Sequence, residues 1–203
     1  MGRPRANDYD GKRRAILDRS ATLFAEHGFA NTTVSMIATS CGASKGRLYH
    51  YYDSKEAVLF DLLDHHLRGL VAAVRDADDP SAAPRERLRH LVVALLGAYE
   101  HADDTHRVQL GDLGRLPASQ RQHLKRLQRQ IVDVFAATLL AAAPGLARRP
   151  EQVTPATMSL LGMLNWQHTW FRADGRMDLE AYAGLVVDLV LGGLPALTPE
   201  DPL

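Results

Sequence analysis

The sequence predicts an all-α protein with a helix-turn-helix near its N-terminus. Three observations carry this. Apolar residues recur at helical spacing with no strand-length alternation of period two, several prolines stand where first helical turns would begin, and two cap residues flank a glycine turn between Thr33 and Leu48. Nine helices are expected. The first runs from about Asp10 to His27, with Ile16, Leu17, Ala21, Phe24 and Ala25 on one stripe and Gly28 as its stop. Short helices follow at about Val34 to Thr39 and Ser44 to Tyr49. A long helix opens near Asp53 or Ser54, either of which would cap it, and carries Val58, Leu59, Leu62, Leu63, Leu67, Leu70 and Val74 towards Asp76. Beyond the turn-rich 78–81, helices are expected at about 84–101, 104–114, 117–142, 155–172 and 178–193. Pro84, Pro117 and Pro155 then fall in first turns, and Thr154 caps the helix that Pro155 opens. Residues 143–150 read as a loop and 195–203, with three prolines, as a frayed tail. The expected organisation is an N-terminal arm and helix-turn-helix over 1–52, a connecting helix over 53–77 and a helical body over 78–203.

Of the 203 residues, 46% are hydrophobic and 24% charged, enough apolar material for a core and unlike a disordered chain. The single cysteine, Cys41, allows no internal disulfide and fits no Cys/His zinc spacing. The longest apolar runs break well short of the roughly 20 residues that a membrane helix needs. No leader pattern opens the chain, so a cytoplasmic protein without a membrane span is expected. The net charge is zero, yet residues 1–55 carry nine Lys/Arg against five Asp/Glu, and the remainder is correspondingly acidic. A basic N-terminal segment on an acidic chain is the electrostatic pattern of a nucleic-acid reader. Nine histidines raise a metal or catalytic alternative, above all His65 and His66 with Asp61 and Asp64. There is no His-Glu-x-x-His, phosphate-cradling glycine loop or Gly-x-Ser-x-Gly, so no catalytic residue, metal or cofactor is expected.

The informative stretch is Thr32 to Tyr52. Thr33 caps a helix whose inner face is Val34, Ile37 and Ala38; Gly42 turns the chain; Ser44 caps a second helix whose Leu48 returns to the core. Ser44, Lys45 and Arg47 then occupy the first turns of the second helix, the end that meets base edges in a major groove.

These residues resemble the TetR family of one-component bacterial regulators. The shared phrases are Thr-Thr-Val-x-x-Ile-Ala, then Gly-x-Ser-x-Gly-x-Leu-Tyr-x-Tyr, then Ser54-Lys55-Glu56 at the start of the long helix. Two positions depart from the family habit, Ala43 where Val is common and Tyr52 where Phe is common. The resemblance implies a homodimer reading a palindromic double-stranded operator and responding to a small-molecule effector. Ser44, Lys45, Gly46 and Arg47 would lie at base edges; Thr33, Tyr49, His50, Tyr51 and Lys55 would hold phosphates. Arg3 and Arg5, ahead of the first helix, would reach the minor groove or form a basic tail.

In the family the C-terminal body dimerises and encloses the effector. Helix nine offers Leu179, Tyr182, Val186, Leu189 and Val190 with Gly184, Gly192 and Gly193. Helix eight offers Leu160, Leu161, Met163 and Leu164, and together they suit a four-helix seam or burial within one subunit. Trp166 and Trp170 at i and i+4 line a pocket or pack as core, with Asn165, Gln167, His168 and Thr169 as polar handles. From Arg115 to Arg129 there are five cations and no acid, and Arg121, Lys125 and Arg129 share one helix face, which fits either an anionic partner or a solvated surface. Met163 to Arg176 and Gly111 to Pro117 look like the branch controlling aromatic-acid, steroid or fatty-acid degradation, whose members often answer to acyl-CoA thioesters. On that resemblance the effector contacts would be Leu113, Arg121, Leu124, Lys125, Met163, Asn165, Trp166, His168, Trp170 and Phe171. A smaller hydrophobic or aromatic effector, as in efflux-type members, and an activator on the same scaffold are the alternatives.

Overall fold

Helical periodicity becomes helix throughout the computed structural model, which describes residues 4–100, 102–172 and 174–197. Among these residues the order is α1 (Pro4–Asn31), α2 (Val34–Ser40), α3 (Lys45–Tyr49), α4 (Lys55–Ala77), α5 (Pro84–Tyr99), α6 (Asp103–Asp112), α7 (Ala118–Ala142), α8 (Pro150–Trp166) and α9 (Leu179–Leu197), with no strand. Short 3-10 turns follow α6, α7 and α8.

Several boundaries differ from the sequence expectation. Backbone helix begins at Pro4, so Arg5 belongs to α1 and not to an extended arm; Arg3 lies outside the described residues. Proline suits this position because the first N–H groups of a helix have no partner in any case. α1 breaks where expected, at Gly28, whose φ of 75° and ψ of 154° leave the helix before one more turn to Asn31. α8 starts at Pro150, not at Pro155, which lies inside it. The bond forgone there is the one to the carbonyl of Glu151, an exposed residue whose oxygen water can serve. The helix ends at Trp166 and passes into a 3-10 turn, so Trp166 and Trp170 do not share an α-helical face. α9 carries its backbone through Pro195 to Leu197, and only 198–203 of the expected tail lie outside the described residues.

Packing divides the chain into two units, and not at the boundaries expected from sequence. The first comprises residues 1–67 and 102–125, so α6 and the start of α7 cluster with the helix-turn-helix. In it α1 packs on α2 and α6, and α2 on α3. Phe24, Ile37, Leu48, Leu59 and Leu63 are fully buried, and the rings of Phe24 and Phe29 stand 5.3 Å apart. The second unit comprises residues 68–101 and 126–203. There α5 packs on α8 and α9 through Leu88, Leu91, Leu95 and Leu96, each fully buried, against a set that includes Leu160, Leu164 and Val186.

Gly28 is the sharpest local requirement. A Cβ there would meet nothing within 4 Å, so its backbone conformation alone selects glycine. Gly28→Ala should lower the unfolding free energy by about 1–3 kcal/mol, read by urea denaturation. A variant as stable as the parent would show that the break in α1 relaxes.

Candidate nucleic-acid interface and sensing regions

Two caps set the helix-turn-helix. The N–H of Met36 donates to Thr33 Oγ1 at 3.2 Å and that of Arg47 to Ser44 Oγ at 3.2 Å, so both residues hold the helix starts expected of them. Between them the N–H of Gly42, at φ 60°, donates to the Thr39 carbonyl at 3.0 Å, and that of Ala43 to the Ala38 carbonyl at 2.9 Å. Buried Ile37, Ala38 and Leu48 anchor α2 and α3 from below.

The opposite side of α3 is open. Ser44, Lys45, Gly46, Arg47, Tyr49 and His50 are exposed and Tyr51 is half-buried. Lys45 Nζ lies 5.9 Å from the centre of the Tyr49 ring, a cation–π distance that steadies the ammonium without covering it. Arg47 has no ion-pair partner among the described residues. Tyr51 stacks on Tyr9 of α1 at 4.8 Å and 23°. The structure thus brings Thr33, Ser44, Lys45, Gly46, Arg47, Tyr49, His50 and Tyr51 to one small bundle.

Lys55 departs from its expected phosphate role. Its ammonium donates to the carbonyls of Phe29 at 2.6 Å, Thr32 at 2.8 Å and Ala30 at 3.3 Å, and sits 4.3 Å from the centre of the Phe29 ring. Three donors meet three acceptors, which leaves none for a phosphate. Tyr52 likewise does more than replace a phenylalanine. Its buried hydroxyl donates to Asp61, while Arg13 grips the same carboxylate through Nε at 2.9 Å and Nη2 at 2.7 Å, tying α1, the end of the helix-turn-helix and α4 together. Burial first, and then the bond to Asp61, push the Tyr52 phenol up.

The expected effector contacts fall into different units. Leu113, Arg121, Leu124 and Lys125 belong to the first; Met163, Asn165, Trp166, His168, Trp170 and Phe171 belong to the second. Leu124 is fully buried core, and Arg121 turns back to donate to the Leu116 carbonyl. Lys125, Arg126 and Arg129 are exposed with no carboxylate paired to them among the described residues. In the second unit Tyr99 donates to Asn165 Oδ1 at 2.8 Å, and Tyr182 donates to the Met163 carbonyl at 3.2 Å. His168 Nδ1 lies 2.7 Å from the Asn165 carbonyl. Trp166 and Trp170 are 64% and 53% exposed, so within one chain they neither form core nor line an enclosed pocket. Their neighbours explain why. Leu160, Leu161 and Leu164 of α8 and Tyr182 and Val186 of α9, expected at a seam, are buried inside the subunit, whereas Met158, Gly162 and Trp166 of α8 and Leu185, Leu189 and Gly192 of α9 face outward.

One grouping differs from the sequence expectation, which sets His66 with His65, Asp61 and Asp64. His66 of α4 and His106 and Gln109 of α6 are buried, with the imidazoles 6.0 Å apart. α6 buries His106 and Gln109 beside Val108 and leaves Leu110 51% exposed. His66 Nε2 and Gln109 Oε1 have no hydrogen-bond partner among the described residues. Buried polar atoms are nearly always satisfied, so an unmatched pair calls for a reason. The signal was present for His66, which falls among Leu62, Leu63, Leu67 and Leu70 on the apolar stripe of its helix.

Comparison with known proteins agrees with this geometry. The profile described as "Bacterial regulatory proteins, tetR family" matches residues 16–62, and that described as "Tetracyclin repressor-like, C-terminal domain" matches residues 81–194, more than half the chain. This chain belongs to the TetR family. It is 30% identical to the "HTH-type transcriptional repressor KstR2" of Rhodococcus jostii (strain RHA1), over 96% of this chain and 98% of that one. A TetR-family regulator from Bordetella parapertussis 12822 superposes with a TM-score of 0.83 at 38% identity, over 88% of this chain and 93% of that one. AibR, solved with isovaleryl coenzyme A and operator DNA, superposes with a TM-score of 0.75 at 27% identity, over 88% of this chain and 97% of that one. TetR-family proteins are DNA-binding regulators and not enzymes. No described helix is long and apolar enough to cross a membrane.

The buried imidazole predicts a pH dependence. Burial, then the charges of His106 and His65, lower His66 from 6.5 to about 4. The folded chain therefore holds it neutral, and this contribution to stability is intact above about pH 6.5. It is lost as pH falls towards 4, because the unfolded chain takes up a proton that the folded one refuses. The unfolding free energy should drop by about 2 kcal/mol between pH 7.5 and pH 5 from this group. Urea denaturation at both values should show that His66→Phe flattens this part of the profile; an unaltered slope would assign the titration to other groups.

Proposed function

We propose that this TetR-family chain is a cytoplasmic, homodimeric repressor that reads a palindromic operator and leaves it on binding an acyl-CoA thioester. The observation that carries the reading is the exposed, basic start of α3, capped by Ser44 and presenting Lys45 and Arg47 from a rigidly anchored bundle. Its likeness to a named repressor over nearly the whole length supports repression as the output. Two copies of α3 would enter successive major grooves about 34–36 Å apart.

A second copy of the chain is the partner that best suits the outward face of α8 and α9. Met158, Trp166, Leu185 and Leu189 are 49%, 64%, 42% and 59% exposed, and Gly162 and Gly192 between them would let helices approach closely in a four-helix seam. AibR binds isovaleryl coenzyme A, which supports a thioester effector here. Lys125, on the exposed side of α7 within the first unit, suits its phosphates. The unmatched His66 Nε2 and Gln109 Oε1 would greet a polar group of the effector. A smaller aromatic or hydrophobic effector that carries one polar group is the second reading, favoured by that same polar interior, which needs no nucleotide to satisfy it.

Two measurements test the proposal. DNA selected from a random pool by the purified protein should be bound with a preference that Lys45→Ala and Arg47→Ala each weaken by about 1–3 kcal/mol, with the dimer intact by sedimentation. Retained preference in the double variant would remove α3 from base recognition. Anisotropy of the same DNA should then fall on addition of a short- or long-chain acyl-CoA but not of free CoA or the free acid. Release by the acid alone would establish the second reading, and release by neither would end the thioester assignment.

A further inference from the structure

A second groove lies in the first unit, apart from the buried polar group. It encloses about 290 Å³ between α1 and the helix-turn-helix and is lined by Lys12, Ala15, Ile16 and Arg19 of α1, by Ser40, Cys41 and Ala43 around the turn, and by Arg47, Leu48 and Tyr51. Two features define its chemistry. The floor is apolar, since Ile16 and Leu48 are buried beneath it and the Ala15 and Ala43 methyls flank it. The rim holds three cations and no carboxylate. Arg19 and Arg47 have no ion-pair partner among the described residues, unlike Arg13 on the adjoining face of α1, which is paired with Asp61. Like charges that converge on one cleft repel unless an anion lies among them.

We infer that this groove binds a small amphipathic anion, an aromatic carboxylate of one or two rings, whose ring lies on Ile16 and Leu48 and whose carboxylate meets Arg19 and Arg47. A bare phosphate would satisfy the rim and leave the floor wet; a neutral aromatic would satisfy the floor and leave Arg19 and Arg47 unmatched. The volume stands near the lower end of small-molecule sites, in keeping with so small a ligand. Arg47 is also placed at the operator, so an occupied groove sets the anion against DNA for one guanidinium. This would be inhibition at the reading head itself, independent of the acyl-CoA reading.

The chain has three isoleucines, Ile16 in the groove, Ile37 in the core of the same unit and Ile131 on α7, so a methyl spectrum of isoleucine-labelled full-length protein reports on it with built-in controls. Titration with 2-naphthoate should shift Ile16 saturably and leave Ile131 in place. Arg19→Glu, on an exposed position, should weaken this at least tenfold with Ile37 unmoved, and Ala15→Phe should abolish it by filling the groove. The amide 2-naphthamide should bind at least tenfold more weakly than the acid. Equal affinity for acid and amide, an unaffected titration in Arg19→Glu, or an equal shift of Ile16 by inorganic phosphate at the same concentration would overturn the inference, the last by making the groove a seat for DNA phosphates. None of these readings needs operator DNA, so they stand or fall apart from the assignment of Arg47 to base recognition.

Discussion

The reading head depends on how the end of α1 is closed. Gly28 breaks the helix, and a broken helix leaves carbonyls without partners. Lys55, the first residue of α4, gathers three of them with one ammonium and covers the Phe29 ring with its charge. The same three bonds fix where α2 begins, because Thr32 both offers one of the carbonyls and donates through its hydroxyl to the carbonyls of Leu23 and Gly28. α2 in turn sets the turn at Gly42 and so the direction of α3. A positive side chain that reads in sequence as a phosphate contact is, in this fold, the fastening of the helix-turn-helix to the helix behind it. The Arg13–Asp61–Tyr52 group adds a second fastening between α1 and α4.

Local chemistry was legible in the sequence and distant chemistry was not. Thr33, Ser44, Gly28 and Gly42 act through bonds or torsions within a few residues of themselves, and each does what its type and spacing predict. Ser54 rather than Asp53 caps α4, a choice between neighbours that only geometry settles. Lys55 was misread because its partners are more than twenty residues away in sequence. What Tyr52 adds to a phenylalanine is not legible locally, because Asp61 lies on another helix. α8 starts a turn earlier than its sequence suggests because Thr154-Pro155 is a good local start signal, whereas Arg149-Pro150 is a weaker one with no side-chain cap. The tryptophans read in sequence as a facing pair because the change from α-helix to 3-10 turn after Trp166 has no strong local mark.

The two units differ in what they hide. The second buries leucines and exposes tryptophan, methionine and leucine on α8 and α9, an arrangement whose missing cover is apolar. The first buries histidine and glutamine on α4 and α6 while leaving Leu110 outside, an arrangement whose missing complement is polar. Neither is explained by stability of the lone chain, since the first leaves buried polar atoms unmatched and the second leaves large apolar side chains in water. Departures of this kind from a consistent core are where a fold gives way to function.

Energetics link that polar interior to the proposed response. An effector moves a regulator off its operator only by the difference between its affinities for the two states, and a hundredfold loss of operator affinity corresponds to about 2.7 kcal/mol. A buried polar atom left without a partner is worth about 1–3 kcal/mol when a partner arrives. His66 Nε2 and Gln109 Oε1 therefore hold a reserve of the size required, and His66 belongs to the same helix as Lys55 and Asp61, which fasten the reading head. A ligand that satisfies those atoms in one arrangement of α4 and not in another would need no further source of free energy. The acyl chain and nucleotide of a thioester would then serve to choose the ligand, and the polar pair to convert its binding into a change at the DNA.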